Sequence, residues 1–295
     1  MAGTLVPFRP QLYLRPPLHS RRVPSNHRSR VSAELGESSS PSSSSSLSTS
    51  SETLTISPPP GFQPPRPKRF SVRPDKLLDI LAASLALPFR LGTGAFVLGY
   101  SVSFVSEDAI PSTEYAMRIG GLALKETSKL GPRPEKPIEI YEFESCPFCR
   151  KVDPNTGVAM YESDDIIKYL VNKYGDGTIP TMLSLGLLTT LTAGFAMIGR
   201  MGKGSSYTPS KLPPQPLELW AYEASPFCKI VREVLVELEL PHILRSTARG
   251  SPKRQTLYEK VGHFQVPYLE DVNAGVKMFE SAEIIDYLRA TYVLS

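Results

Sequence analysis

Two stretches of this chain are copies of one unit, and the first copy has lost its middle. Ile138–Val152 (IEIYEFESCPFCRKV) aligns with Leu217–Val231 (LELWAYEASPFCKIV) at an offset of 79, with six of fifteen positions identical. Asp153–Leu170 (DPNTGVAMYESDDIIKYL) aligns with Asp271–Leu288 (DVNAGVKMFESAEIIDYL) at an offset of 118, with eleven of eighteen identical. The offset grows by 39 between the two blocks, so the first copy has no counterpart of anything from Arg232 to Glu270. An internal repeat defines the folding unit before any single residue is interpreted. Here it predicts one complete unit over 213–295 and one incomplete unit over 131–176.

Composition separates these units from what precedes them. From Met1 to Arg30 there are six arginines, no lysine and no acidic residue, and thirteen serines follow between Val31 and Pro60. The next run, PPPGFQPPRPKRFSVRP (Pro58–Pro74), is proline-rich and basic. Such a sequence buries too little apolar surface to offset the entropy of ordering it, so residues 1–70 are expected to be disordered. An Arg- and Ser-rich, acid-poor leader has the composition of an organelle transit peptide and lacks the apolar core of a secretory signal. The serine tract favours a chloroplast, in its stroma or at an organelle membrane; an ordinary disordered tail is the alternative. Residues 1–75 carry a balance of +6 in a chain of net charge +4, which leaves −2 for the remainder. The basicity therefore belongs to the leader, and the rest has no electrostatic footprint for nucleic acid. Three cysteines in 295 residues do not make a disulfide framework.

Residues 76–130 open with an amphipathic or membrane-adjacent stretch, Lys76–Val105, and continue as a polar, turn-rich connector from Glu107. Between the two copies, Thr178–Gly199 offers 22 residues without a charge. As a helix it would be roughly 33 Å long, enough to cross a bilayer. Its six hydroxyl residues, three glycines and Pro180 dilute the hydrophobicity, so a membrane span and a buried connecting helix both fit. Lys203–Pro216 (KGSSYTPSKLPPQP) reads as a linker.

The complete copy has a readable pattern. Leu217–Tyr222 alternates like a strand, and Pro226 suits the first turn of a helix with Val231, Val234, Leu235 and Leu238 on its apolar face. His242–Arg245 is a short strand, Pro252–Val261 a polar helix, and Pro267–Leu269 and Gly275–Phe279 two further strands. Ser281 is expected to cap a closing helix with Ile284, Ile285 and Leu288 inward. The order βαβαββα is that of the thioredoxin fold.

A strand leading to Cys146-Pro147-Phe148-Cys149, a Val-Pro before a strand, and a Glu-Ser opening a helix resemble glutaredoxins and the N-terminal domain of glutathione S-transferases. The Cys-Pro-Phe-Cys copy is also similar to the membrane-associated prostaglandin E synthase 2 family. The pair of copies behind a leader resembles a plant chloroplast thioredoxin-like family with two such domains. The implied architecture is α/β, a tandem thioredoxin-like (glutaredoxin/GST N-terminal) fold with the first copy truncated internally and the second complete.

The resemblance implies thiol–disulfide chemistry, with Cys146 as nucleophile and Cys149 as resolving thiol. Physical chemistry agrees: exposed amides at a helix start lower a thiol pKa, and a second thiol one turn later can attack the mixed disulfide. Two ordinary thiols or half a metal site are the alternatives, but no second cysteine pair and no nearby histidine completes a metal site, so no metal is expected. The second copy carries Ser225 where the nucleophile stands. Cys228 keeps the resolving position and is expected to act as a buried small hydrophobe. Ser225 could instead donate to a glutathione thiolate, as in serine-type transferases. By resemblance, Val266-Pro267 is a cis bond that presents the Val266 backbone to glutathione, and Glu280-Ser281 hold its γ-glutamyl end. The carboxylate would go to Ser281 and the helix start, the ammonium to Glu280.

The first copy has Glu162-Ser163 but no Val266-Pro267 counterpart, because that position falls in the missing block. Asp153-Pro154 should stop its first helix after Val152. What remains is strand one, a single helical turn, strand four and the last helix. A splice form, a gene-prediction error and a degenerate domain all account for the cut. The resulting expectation is a plastid glutathione-linked redox protein with impaired activity and glutathione as ligand or co-substrate. A protein disulfide partner and membrane association accompany that reading. The alternative is a non-enzymatic module that binds glutathione or a protein. No all-helical transferase domain follows Tyr292, which counts against transferase activity.

Overall fold

The structure, a computed structural model, describes residues 56–68, 71–90, 92–142, 151–154, 160, 163–200 and 202–294. The chain divides into two units, 1–51 and 52–295, and every described residue belongs to the second.

The complete copy forms a four-stranded mixed sheet. Strand β6 (Leu217–Ala221) pairs parallel with β7 (His242–Ser246) and antiparallel with β8 (Tyr268–Asp271), and β8 pairs antiparallel with β9 (Val276–Met278). The order is β7-β6-β8-β9. Side chains alternate across a strand, so Leu217, Leu219 and Ala221 lie buried on one face while Trp220 packs with Leu257 on the other. Helices α5 (Pro226–Glu237) and α7 (Ser281–Tyr292) cover the first face, and α6 (Lys253–Val261) the second. The expected inward residues of α5 and α7 are all buried. Asp271, itself buried, accepts from the hydroxyls of Tyr287 at 2.6 Å and Tyr292 at 2.5 Å and from the Asn273 and Ala274 amides, so its charge is compensated.

The segment read as the incomplete copy shows two strands and one helix among its described residues. Strand β4 (Ile138–Tyr141) stands where β6 does, and helix α3 (Ser163–Tyr174) lies 118 residues before α7. Val152 is not in a helical turn. Lys151–Pro154 form β5, antiparallel to β4 with Ile140 opposite Val152, as β8 is to β6. An unpaired strand presents a row of amides and carbonyls, and Lys151–Pro154, on both sides of the junction between the two aligned blocks, satisfy them. Where α7 buries Ile284, Ile285, Tyr287, Leu288 and Tyr292, α3 buries only Ile166.

Three further departures concern the flanking segments. Residues 56–68, expected to be disordered, run as an ordered arm with a turn in which the Phe62 amide donates to the Pro59 carbonyl at 3.0 Å: Ile56 is buried in the main core and Phe62 lies 4.9 Å from the Tyr287 ring. Prolines fix φ in advance, so little packing suffices to hold such a segment. The connector contains a three-stranded antiparallel sheet, β1 (Ser101–Ser106), β2 (Met117–Ile119) and β3 (Leu122–Thr127), in the order β1-β3-β2. Gly120 and Gly121 both have positive φ, +59° and +81°, which suits the two-residue turn joining β2 to β3. Finally, Thr178–Gly199 is not one helix. It holds a short turn at Thr181–Leu183 and then α4 (Leu187–Ile198), 12 residues long. Among the described residues no helix is long and apolar enough to cross a membrane. Nor is α4 simply buried: Ala193 and Ala196 face inward, while Leu187 and Ile198 are 74% and 64% exposed.

Helices α1 (Leu77–Ser84) and α2 (Ala86–Phe89) precede β1. Helix α1 packs on α5 and adds Ile80 and Ala83 to the main core. Buried Arg200, just past α4, binds both carboxylate oxygens of buried Glu233 on α5, at 2.8 and 2.5 Å, and reaches Asp79 of α1 at 3.2 Å.

Candidate functional site

Strand directions bring the candidate residues of the complete copy to one end of its sheet. Strand β6 runs into Ser225 and α5. Because Trp220 lies opposite Tyr268, the start of β8, with Val266-Pro267 just before it, lies beside the end of β6. Met278 lies opposite Leu269, so Phe279 and Glu280 return to that same end. The Val266-Pro267 bond is cis. Val266 is half-buried, in contact with both core clusters.

Ser225 caps α5 from an extended conformation, its hydroxyl oxygen accepting from the Cys228 amide at 3.3 Å. It is only 4% exposed, and the cap occupies its oxygen. Cys228 is fully buried, and burial pushes its thiol up to about 11 against the weaker opposing pull of Ser225. At neutral pH it is a protonated, apolar filler, as its sequence position implies.

Glu280 is held differently. Its backbone adopts φ 72°, ψ 106°, a region that non-glycine residues seldom occupy. It stands at the N-cap of α7, with its carbonyl accepting from Ile284 at 2.9 Å. The side chain makes no capping bond. It turns outward instead, and Oε1 accepts from the Lys68 amide at 2.5 Å and from Gln265 Nε2 at 2.8 Å. Ser281, expected to be the cap, is the first helical residue and is 8% exposed. A carboxylate beside the start of a helix is favourably placed for the dipole.

Arg254 of α6 was not anticipated. Its guanidinium is buried, 4.5 Å from the Phe264 ring and 5.6 Å from both Tyr115 and Tyr222. It donates to the Thr247 carbonyl at 2.9 Å and to the Tyr115 hydroxyl at 2.6 Å, and among the described residues no carboxylate lies within ion-pair distance of it. A single arginine in a polar helix gives no sequence signal for such a place. Gln265 and Lys68 were likewise missed.

Cys146, Cys149 and Glu162 lie outside the described residues. Glu142, four residues before Cys146, is described, and its carboxylate lies 3.6 Å from Arg232 on α5. The end of β4 therefore sits beside α5. Among the described residues no group of His, Cys, Asp and Glu is arranged to hold a metal ion.

No curated protein and no solved structure matches this chain. Residues 219–295 match the family model described as "Glutathione S-transferase, N-terminal domain". With the βαβαββα order and mixed sheet described above, that match makes the segment a thioredoxin-like domain of the glutathione S-transferase N-terminal type.

Proposed function

We propose that the 217–292 domain binds glutathione at the sheet end formed by Ser225, Val266-Pro267 and Glu280-Ser281, and that it descends from a thiol–disulfide exchange catalyst. One observation carries this reading. Glu280 keeps a strained left-handed backbone and aims its carboxylate away from its own helix, a geometry suited to receiving an external cation or N–H donor. The family match supports the class of ligand. The redox pair of the reading is Cys146 and Cys149. A plastid location and a tandem origin rest on the leader composition and the repeat, and a protein mixed disulfide is the substrate class. The uncharged outer face of α4 supports contact with a membrane surface.

In this form the exchange activity is weak or absent, because the complete site has no nucleophile. Restoring one with Ser225→Cys tests this. The new thiolate, at the start of α5, attacks the glutathionyl sulfur of a mixed disulfide and expels the partner as a thiolate. A second glutathione then reduces the protein-bound disulfide, releasing oxidised glutathione. The purified full chain should gain turnover of a glutathione mixed disulfide only with the substitution, in a Cys146→Ser/Cys149→Ser background. If a folded variant gains nothing, the non-enzymatic binding module becomes the better reading, and the buried, protonated Cys228 already favours it over catalysis by the native second copy.

A further inference from the structure

The carboxylate assigned to the ligand's ammonium already has a partner from its own chain. The Lys68 amide donates to Glu280 Oε1 at 2.5 Å, and the Lys68 carbonyl lies 3.5 Å from Gln265 Nε2, which itself donates to Glu280 Oε1. The N–H and the C=O of one arm residue are thus both engaged by the two loops that border the site. The arm is anchored on either side of this contact. Before it, Ile56 is buried and Phe62 lies on Tyr287 of α7. After it, Arg73 binds Asp286 of α7 at 2.6 Å and lies 3.9 Å from Glu283. Six of the ten residues from Pro58 to Pro67 are prolines (Pro58, Pro59, Pro60, Pro64, Pro65 and Pro67), whose φ is fixed in advance, so docking the arm forfeits little chain entropy.

We propose that residues 56–68 are a built-in competitor for this groove: the arm occupies Glu280, and glutathione gains the site only when the arm lifts. The proposal rests on the glutathione reading above and adds its regulation. Binding to a site that is open for only a fraction of the time is weakened by that fraction. A hydrogen bond to a charged carboxylate, if lost, corresponds to about a tenfold change in that equilibrium.

The contact uses a backbone amide, so Lys68→Pro removes the donor while suiting an extended, proline-rich course. Phe62→Ala loosens the same arm at a second point without touching Glu280. Glutathione affinity of the full chain is measured by calorimetry for the native protein and both variants. Hydrogen exchange over 56–68 is followed with and without glutathione. The expected result is affinity about tenfold tighter in Lys68→Pro and several-fold tighter in Phe62→Ala, faster exchange in the arm when glutathione binds, and loss of binding when Glu280→Gln is added. Equal affinity in all three proteins with unchanged arm exchange overturns the competition and leaves the binding reading standing. No binding in any of them, Lys68→Pro included, removes the glutathione reading and the competition together.

Discussion

Cys228 and Ser225 show how one substitution divides the work of a motif. In Ser225-Pro226-Phe227-Cys228 the retained sulfur is the buried one, and burial holds it protonated, with its thiol pushed up from an ordinary value near 9 to about 11. In a Cys146→Ser/Cys149→Ser background the folded chain should consume no thiol reagent at pH 8, and one equivalent once denatured. Rapid labelling of the native protein would contradict the burial. The same shift fixes a pH dependence. A raised thiol pKa means that the folded state retains a proton which the unfolded chain releases first. Its contribution to stability is therefore full below about pH 9 and is lost as pH rises toward 11. Denaturant unfolding across that window should show the midpoint falling with pH, and Cys228→Ala should flatten the fall.

At the level of elements, the ties between α1, α4 and the domain pass through Arg200. It is 3% exposed and pairs with equally buried Glu233. Removing one member of a buried pair leaves the other uncompensated, so Arg200→Met should cost roughly 3 kcal/mol or more, whereas Arg200→Met/Glu233→Leu should recover most of it. Urea unfolding of the three proteins decides the matter; a double variant no better than the single one would show that the pair is not what holds α1 and α4 in place. The elements also show what was legible from residues alone. The strands and helices of 217–292 were, because alternation and helical spacing are written in the same side chains that fill the core. The β1–β3 sheet was overlooked although Gly120-Gly121 between two β-forming runs marks a hairpin. Strand β5 was misread because Asp153-Pro154 signals only that a helix cannot continue, while the need of β4 for a partner is a tertiary fact. The arm's grip on Glu280 joins residues 212 positions apart through a backbone amide, which every residue but proline possesses, so no side-chain pattern could announce it.

For the whole molecule, the 217–292 domain shares its core with residues from upstream. Its main core includes Ile56, Ile80 and Ala83, with Phe62 and Val72 packed against it, all supplied from far upstream. The fragment 213–295 has every strand and helix of its class. It should nonetheless unfold at lower urea than the full chain, by on the order of 5 kcal/mol for the apolar groups it lacks. Equal midpoints would mean that these upstream contacts contribute nothing. The arm gives this dependence a direction in time. It lies within the stretch read as a targeting leader, so a processing cut near residue 70 would remove the address and the competitor together. Sequencing the mature N-terminus locates that cut, and a start at Met1 or Ala2 would exclude it. With such a cut, the chain would travel closed and better packed, then arrive open and somewhat less stable. Delivery itself would act as the trigger, in the manner of a zymogen whose pro-segment is also its postal label.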